Sequence, residues 1–312
     1  MGDPCGIGPE IIVKAFQAHP QLKANVAVVG DTNLMARAAG LFDSSCEALG
    51  IEVIQAGPFV SIDAAPFGAV CAQGGQSAFD AIIKAVTLIQ EGKAKSLITA
   101  PLSKKALHLA GHDFPGHTEL LAELASKKAN STIPVRMMLA NKELRTVLLS
   151  IHVSLRKALD LITFENLLET IAITHKGLNA QGISKPRIAV AGLNPHAGET
   201  GLFGNEEIEV IAPAIAQARA QGIDANGPFA PDTIYMRARG FKEFDVVIAM
   251  YHDQGLIPVK YLGIEHGVNV TLGLPFMRTS PDHGTANDIA GKGIASEASL
   301  MAAIHYAMNH TD

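Results

Sequence analysis

The run Phe244-Asp-Val-Val-Ile-Ala249 constrains the fold of this chain more than any other stretch. Its apolar residues are continuous and leave no polar face, which predicts a strand buried on both sides, as parallel α/β sheets use at their centre. Such a strand ends at the edge of the sheet where ligands bind. His252, Asp253 and Gln254 follow directly, then Gly255, Pro258 and Lys260. The Gly and the Pro read as turning the chain before Lys260. Imidazole, carboxylate and amine at the end of a core strand are the chemistry of a site. Taken alone, His252 and Asp253 suit the close of a helix or turn nearly as well.

The same grammar recurs along the chain. Asn25–Gly30, Ile51–Ile54, Ser96–Pro101, Arg187–Ala191 and Asn269–Gly273 read as strands. Asp31–Gly40, Ser77–Glu91, Ser103–Ala110, Phe164–Leu178, Glu206–Gln221 and Glu297–Met308 read as helices; in the second, Phe79, Ile82, Ile83, Val86 and Ile89 recur at helical spacing. Strand–helix alternation predicts an α/β fold with a parallel, doubly wound sheet. Residues 135–139 and 145–153 read as a hairpin around Asn141-Lys-Glu, and 227–232 as a Pro-containing loop. Thr118 or a neighbour reads as the cap of the helix carrying Leu120, Leu121 and Leu124. The opening Met1-Gly-Asp-Pro-Cys-Gly-Ile-Gly-Pro-Glu10 is a Gly/Pro-rich turn leading into a helix. Its glycines do not spell GxGxxG, so they place no dinucleotide there.

Composition narrows the function classes. With 312 residues, 48% of them hydrophobic, the chain suits two domains with sizeable cores. A net charge of −5 without a basic stripe argues against nucleic-acid and membrane-surface binding. Trp is absent and aromatics are 5%, unlike a base-stacking platform. Cys5, Cys46 and Cys71 are far apart and form no CxxC, which argues against a disulfide framework or a Cys-rich zinc site and for a reducing cytoplasm.

His152, His196 and His252 each follow an apolar run at its C-terminal end. Parallel strands gather those ends, so three imidazoles there could hold a divalent metal with positions open for substrate; three unrelated loop histidines would show the same spacing. Lys260, Arg278 and Lys104 flank the same strand ends with Asn269, and could pair with a carboxylate or phosphate or serve only solubility. In Asp282-His-Gly-Thr-Ala-Asn-Asp288, Gly284 would admit a ligand close to the backbone and Asp288 could accept ribose hydroxyls. A plain Asx or Thr cap explains that segment nearly as well.

Five segments carry a resemblance over essentially the whole chain: Gly2–Glu10, Pro115-Gly-His-Thr-Glu119, Gly192-Leu-Asn-Pro-His-Ala-Gly-Glu199, Ala249-Met-Tyr-His-Asp-Gln-Gly255 and Gly273–Ala286. The chain resembles the 4-hydroxythreonine-4-phosphate dehydrogenase family. The resemblance implies an isocitrate/isopropylmalate-dehydrogenase-like fold of two α/β/α domains with a cleft between them: residues 1–128 with 265–312 on the nucleotide side, and 129–264 for metal, substrate and dimerisation. It implies NAD- and divalent-metal-dependent oxidation of a small phosphorylated substrate, followed by decarboxylation, in a homodimer with a shared site. His152, His196 and His252 become the metal ligands, His252 from the partner. His117, Thr118, Lys260, Asn269 and Arg278 become substrate contacts. His283, Gly284, Thr285 and Asp288 match the adenosine loop of isopropylmalate dehydrogenases, with Thr285 for Ser and Asn287 for Pro. Asp253 is left as either an orienting group or a base. All-imidazole ligation suits Zn, Co or Ni, and Mg less well. Two departures stand out. The family has a short strand before Gly2. Gly255–Lys260 and the segment around Leu107–Leu121 are closer to the branch that oxidises D-threonate or D-erythronate 4-phosphate. The rivals are a sugar-phosphate- or metal-binding protein without turnover and a cis-dihydrodiol dehydrogenase.

Overall fold

The computed structural model describes residues 1–263 and 266–311. In chain order its elements are α1 (Gly8–Ala18), β1 (Val28–Gly30), α2 (Thr32–Gly40), β2 (Val53–Gln55), α3 (Ala72–Gln90), β3 (Ser96–Ile98), α4 (Lys104–Leu109), α5 (His117–Ala129), β4 (Arg136–Ala140), β5 (Arg145–Leu148), α6 (Leu155–Asp160), α7 (Phe164–Ala180), β6 (Ile188–Ala191), α8 (Ala212–Ala220), β7 (Ala225–Phe229), α9 (Ile234–Ala238), β8 (Val246–Ala249), α10 (His252–Tyr261), β9 (Val268–Leu272), β10 (Met277–Pro281) and α11 (Ala298–Asn309). They form two compact α/β units, one of Met1–Thr132 with Phe276–His310 and one of Ile133–Pro275. The sequence-based break at 264/265 lies outside the described residues.

In the first unit β1 pairs with β2 and β3 with β10, both in parallel. Around them α1, α2 and α11 bury Ile11, Phe16, Leu34, Met35, Leu300 and Ile304 in one apolar cluster. Helix starts follow their sequence signals. Asp31 caps α2 by accepting from Leu34 N at 3.0 Å, and Ser103 caps α4 by accepting from Ala106 N at 3.1 Å. Helix α5 differs: its N-cap is Gly116, with no side-chain cap, and Thr118 lies inside the first turn.

In the second unit six strands run in the order β9-β4-β5-β8-β6-β7. The predicted hairpin forms β4 and β5, which are antiparallel, and β9 lies antiparallel on the other side of β4; β5, β8, β6 and β7 are mutually parallel. Val246, Val247, Ile248 and Ala249 of β8, and all four residues of β6, are fully buried. Each such Val or Ile contributes about 1.5–3 kcal/mol of burial. This is why the uniformly apolar run stands at the centre of the sheet.

Three sequence expectations change. Residues 227–229 of the expected loop belong instead to strand β7; β7 is an edge strand, where Pro228 removes no ladder bond that a neighbour needs. Met277–Pro281 is strand β10, hidden by its polar composition. The segment after β8 does not turn at Gly255 and Pro258 but continues as α10 through both. A Cβ on Gly255 would lie 2.5 Å from Leu148 Cδ2 and 2.7 Å from Thr146 Cγ2, so the glycine lets the helix lie directly on β5. Gly255→Ala should therefore cost about 1–3 kcal/mol of stability by overpacking. Gly40→Ala, at an exposed helix end where a Cβ meets nothing within 4 Å, should be neutral or slightly stabilising. Urea denaturation of both variants checks this; equal midpoints would refute the close-packing reading.

Candidate active site

The parallel alignment of β5, β8 and β6 brings three loops to one edge of the second unit. Ser150 Oγ donates to Met250 O at 2.9 Å, and Leu149 N to Ala249 O at 2.9 Å, joining the first loop to the second. Gln254 Nε2 donates to Gly192 O at 2.8 Å while its Oε1 accepts from Met250 N at 2.7 Å, joining the second to the third. These loops carry His152, His252 and His196.

His252 is the first residue of α10, and its ring lies 5.8 Å, centroid to centroid, from that of His152. The resemblance takes His252 from a partner subunit. Here the adjacency of β5 and β8 sets it beside His152 of its own chain. His252 Nδ1 is 2.6 Å from Asp253 Oδ1. An ionised carboxylate only accepts, so Nδ1 carries the proton and the lone pair is left on Nε2. Asp253 thereby has the geometry of an orienting group.

His196 opens a left-handed turn. Residues His196, Ala197, Gly198, Glu199 and Thr200 have φ of 53°, 52°, 82°, 43° and 56°. Each of the four non-glycine residues costs about 1–2 kcal/mol in this region. The described residues contain no group of three His, Cys, Asp or Glu placed to hold a metal. Two of the three imidazoles are thus brought together, and His196 stays on its own loop with its ring 6.1 Å from Phe203. Lys260 lies in the last turn of α10, and Asn269 is on β9 with its Oδ1 enclosed and unpartnered among the described residues.

The first unit holds the remaining residues. Arg278 on β10 is 3% exposed, and its Nη2 donates to Thr99 Oγ1 at 2.7 Å. Burial lowers its pKa to about 10, opposed by Glu119, so it keeps its charge at neutral pH. His117 begins α5, with Nε2 enclosed and without a hydrogen-bond partner among the described residues. Burial first, then the Arg278 charge, holds its pKa well below the ordinary 6.5. A neutral imidazole with an unmatched nitrogen and a buried guanidinium can together receive a hydroxylated anion. Thr118 follows His117 on the same turn, and Lys104 is exposed at the start of α4.

His283, Gly284 and Asp288 are exposed on the loop between β10 and α11, with Thr285 partly buried. That loop is braced from behind. Ile7 N donates to Thr285 O at 3.0 Å, and Glu10, fully buried, accepts from Gly291 N at 2.8 Å and Ala295 N at 3.3 Å. The N-terminal Gly/Pro turn therefore supports the loop that resembles an adenosine site, although it carries no nucleotide fingerprint itself. Sequence reasoning missed Glu10, Thr99, Ser150, Glu207 and the role of Gln254. A carboxylate within the otherwise apolar stretch Ile7–Val13 was the available signal for Glu10.

A family model described as Pyridoxal phosphate biosynthetic protein PdxA matches residues 22–307. The chain belongs to this family. It is 51% identical over 320 residues to 4-hydroxythreonine-4-phosphate dehydrogenase of Beijerinckia indica, covering 98% of this chain and 92% of that protein. It is 46% identical over 318 residues to D-threonate 4-phosphate dehydrogenase of Cupriavidus necator, covering 97% and 93%. A crystal structure of 4-hydroxythreonine-4-phosphate dehydrogenase from Klebsiella pneumoniae superposes with a TM-score of 0.90 at 42% identity, covering 100% of this chain and 98% of that one. These family relatives are dehydrogenases.

The depressed His117 pKa makes stability pH-dependent. Below the unfolded value of about 6.5 the unfolded chain takes up a proton that the folded chain does not. Stability should therefore fall as pH drops through that value, by up to about 1.4 kcal/mol per pH unit. His117→Asn should flatten this part of the profile. Urea melts between about pH 5 and pH 7.5 check it, and parallel profiles for the two proteins would refute the assignment.

Proposed function

We propose that this chain is an NAD- and divalent-metal-dependent dehydrogenase. It oxidises the C3 hydroxyl of a four-carbon, 4-phosphorylated hydroxy acid and releases CO2 from the 3-oxo acid formed, with 4-hydroxythreonine 4-phosphate as substrate. The observation that carries the reading is the buried Arg278 beside the neutral, unmatched Nε2 of His117, which suits a ligand combining an anion with hydroxyl groups.

NAD, when bound, would supply the oxidant for the C3 hydroxyl, and this chain's residues bind and orient the acid for that oxidation. The bond to the carboxylate then breaks, its electrons pass to the adjacent carbon as an enolate, and protonation completes the product. In the first unit Arg278 would hold an anionic end and His117 Nε2 a polar group; in the second the resemblance gives Lys260 and Asn269 the same two kinds of contact. Because His117 is neutral it adds no like charge beside Arg278. Asp253 keeps Nδ1 of His252 protonated and so fixes the ring. By the resemblance, His152 and His196 of one chain and His252 of a second copy would hold the metal, a set that one chain does not assemble by itself among the described residues; such a metal would lower the pKa of the substrate hydroxyl and stabilise negative charge on oxygen. Neutral imidazoles suit Zn, Co or Ni. The exposed Asp288 and the loop from His283 through Thr285 would receive the adenosine ribose of NAD.

A second reading takes D-threonate or D-erythronate 4-phosphate as substrate, giving dihydroxyacetone phosphate. The relative of that name at 46% identity supports it, as does the Leu256-Ile257-Pro258 segment. NADH release measured side by side with the three acids separates the readings. Turnover with one acid, abolished by a chelator, is expected, and Asp288→Ala should raise KM for NAD well above that for substrate. No NADH from any of them would favour a binding protein without turnover.

A homodimer fits the second unit. Ile257 and Tyr261, four residues apart on one side of α10, are 64% and 91% exposed. Large apolar groups so placed on the helix that begins with His252 suit burial against a second copy. Sedimentation of the purified chain should give twice the mass of one chain; a single-chain mass at micromolar concentration would refute this. Among the described residues no helix is long and apolar enough to cross a membrane. A reducing cytoplasm suits its three free cysteines.

A further inference from the structure

Cys5 and Cys71 take no part in the chemistry above, and they are 66 residues apart in sequence. In the fold their Sγ atoms lie 3.6 Å from each other. The two sides of this contact differ. Cys5 is fully buried in the N-terminal turn. Cys71 is partly exposed at the start of α3, where its sulfur accepts from Gly74 N at 3.4 Å. Burial first, then the nearby Asp3 charge, holds the Cys5 thiol pKa far above its ordinary range. An accessible thiol beside a buried one is the arrangement in which oxidation of the first is resolved by the second.

Cys5 is also tied to the loop between β10 and α11. Its O accepts from Gly68 N at 2.7 Å, and its N donates to Asp3 Oδ1 at 2.9 Å. On the next residue, Gly6, a Cβ would lie 2.8 Å from Thr285 Cβ, and Ile7 N donates to Thr285 O at 3.0 Å. Helix α3 is held close to α4, since a Cβ on Gly75 would run into the carbonyl of Ala106. We propose that Cys5 and Cys71 form a modification site: a peroxide joins them as a disulfide that thiols reverse, and the closure displaces the turn under residues 283–291. The Cys71 sulfur takes one peroxide oxygen as the O–O bond breaks, giving a sulfenic acid and water. The Cys5 sulfur then bonds to that sulfur, the S–O bond breaks, and the Cys5 proton leaves with the hydroxyl as a second water. Two thiols are thus oxidised by two electrons, and one peroxide is reduced to two waters. A disulfide sets its sulfurs about 2 Å apart, so the pair must close by roughly 1.5 Å. With α3 packed, the turn is the side that moves. Weaker NAD binding would follow, a consequence that rests on the reading of residues 283–288 as the adenosine loop.

The test treats the full-length reduced chain with hydrogen peroxide, denatures it and maps it by mass spectrometry without reductant. A linked Cys5–Cys71 peptide and one remaining thiol, Cys46, are expected, with dithiothreitol restoring all three thiols. Cys5→Ser should instead accumulate a sulfenic acid on Cys71 that dimedone traps, and Cys71→Ser should leave Cys5 a thiol. Should Cys5→Ser fail to fold, Cys71→Ser and the wild-type map decide. Hydrogen exchange across residues 283–291 should quicken several-fold in the oxidised chain and stay unchanged in peroxide-treated Cys71→Ser. NAD affinity should fall several-fold alongside it. Three thiols surviving peroxide, a link through Cys46, or Cys71 passing to sulfinic acid with Cys5 still a thiol would overturn the site. A disulfide with unchanged exchange in the loop would overturn the displacement. If the reduced chain binds no NAD, the nucleotide reading fails, while the peptide map and the exchange still decide this proposal.

Discussion

The parallel pairing of β8 with β5 on one side and β6 on the other is the constraint on which the second unit depends. Register Thr146↔Val247 and Ala189↔Val247 fixes all three strands at one level. Their next residues must therefore emerge side by side. Ser150 and Gln254 then tie the emerging backbones across the same edge. A one-residue slip of β8 would break those ties and move His252 away from His152. The all-apolar β8 allows such a slip on hydrophobic grounds, since both faces are buried whichever residues face up. Register must therefore be specified by the polar groups at the strand ends, and those are the groups beside the candidate ligands.

The first unit buries polar groups side by side. Arg278 donates to Thr99 Oγ1, and the field of Glu119 opposes the lowering of its pKa by burial. His117 stays neutral because it is buried and lies beside the Arg278 charge. A neutral imidazole adds no like charge there, so the two share the interior at less cost. Burial is offset in another way at Glu10, whose buried carboxylate is matched by two backbone N–H groups of the loop behind the exposed Asp288. Polar groups satisfied by the protein's own backbone support that loop. Groups left unsatisfied face the ligand in this reading.

Much of this was legible in the sequence, for reasons that differ by residue. The uniformly apolar runs at β6 and β8 read as buried strands, and parallel pairing then puts the histidines that follow them at one sheet edge. Helix starts at Asp31 and Ser103 follow from side chains that satisfy orphan N–H groups. Strand β10 was not legible, because Arg278, Thr279 and Ser280 are buried for reasons that only the tertiary neighbours supply, such as Thr99 under Arg278. Helix α10 was not legible either. Gly and Pro inside a short segment favour a turn in the absence of packing, and it is contact with Leu148 and Thr146 that makes Gly255 a helix residue. The motif segments named the candidate site residues by resemblance, but the same-chain pairing of His152 with His252 came from strand adjacency.

The left-handed turn at His196 shows how these two kinds of information meet. A loop whose conformation is intrinsically unfavourable cannot be held by one contact, because any single loss would let it relax. Glu207 contributes bonds to three donors at its start, and Gln254 fixes the carbonyl just before them. The glycines on either side admit the carboxylate, so Gly192, Gly198 and Glu207 form one unit although they are up to 15 residues apart in sequence. The sequence displays this segment as Gly-Leu-Asn-Pro-His-Ala-Gly-Glu, which looks like a flexible loop. In the fold the N–H groups of Leu193 and Asn194 and the carbonyl of Gly192 are all bound by side chains. A side chain carried by such a strained, hydrogen-bonded loop is ordered before any partner arrives, so less ordering cost falls on the binding step.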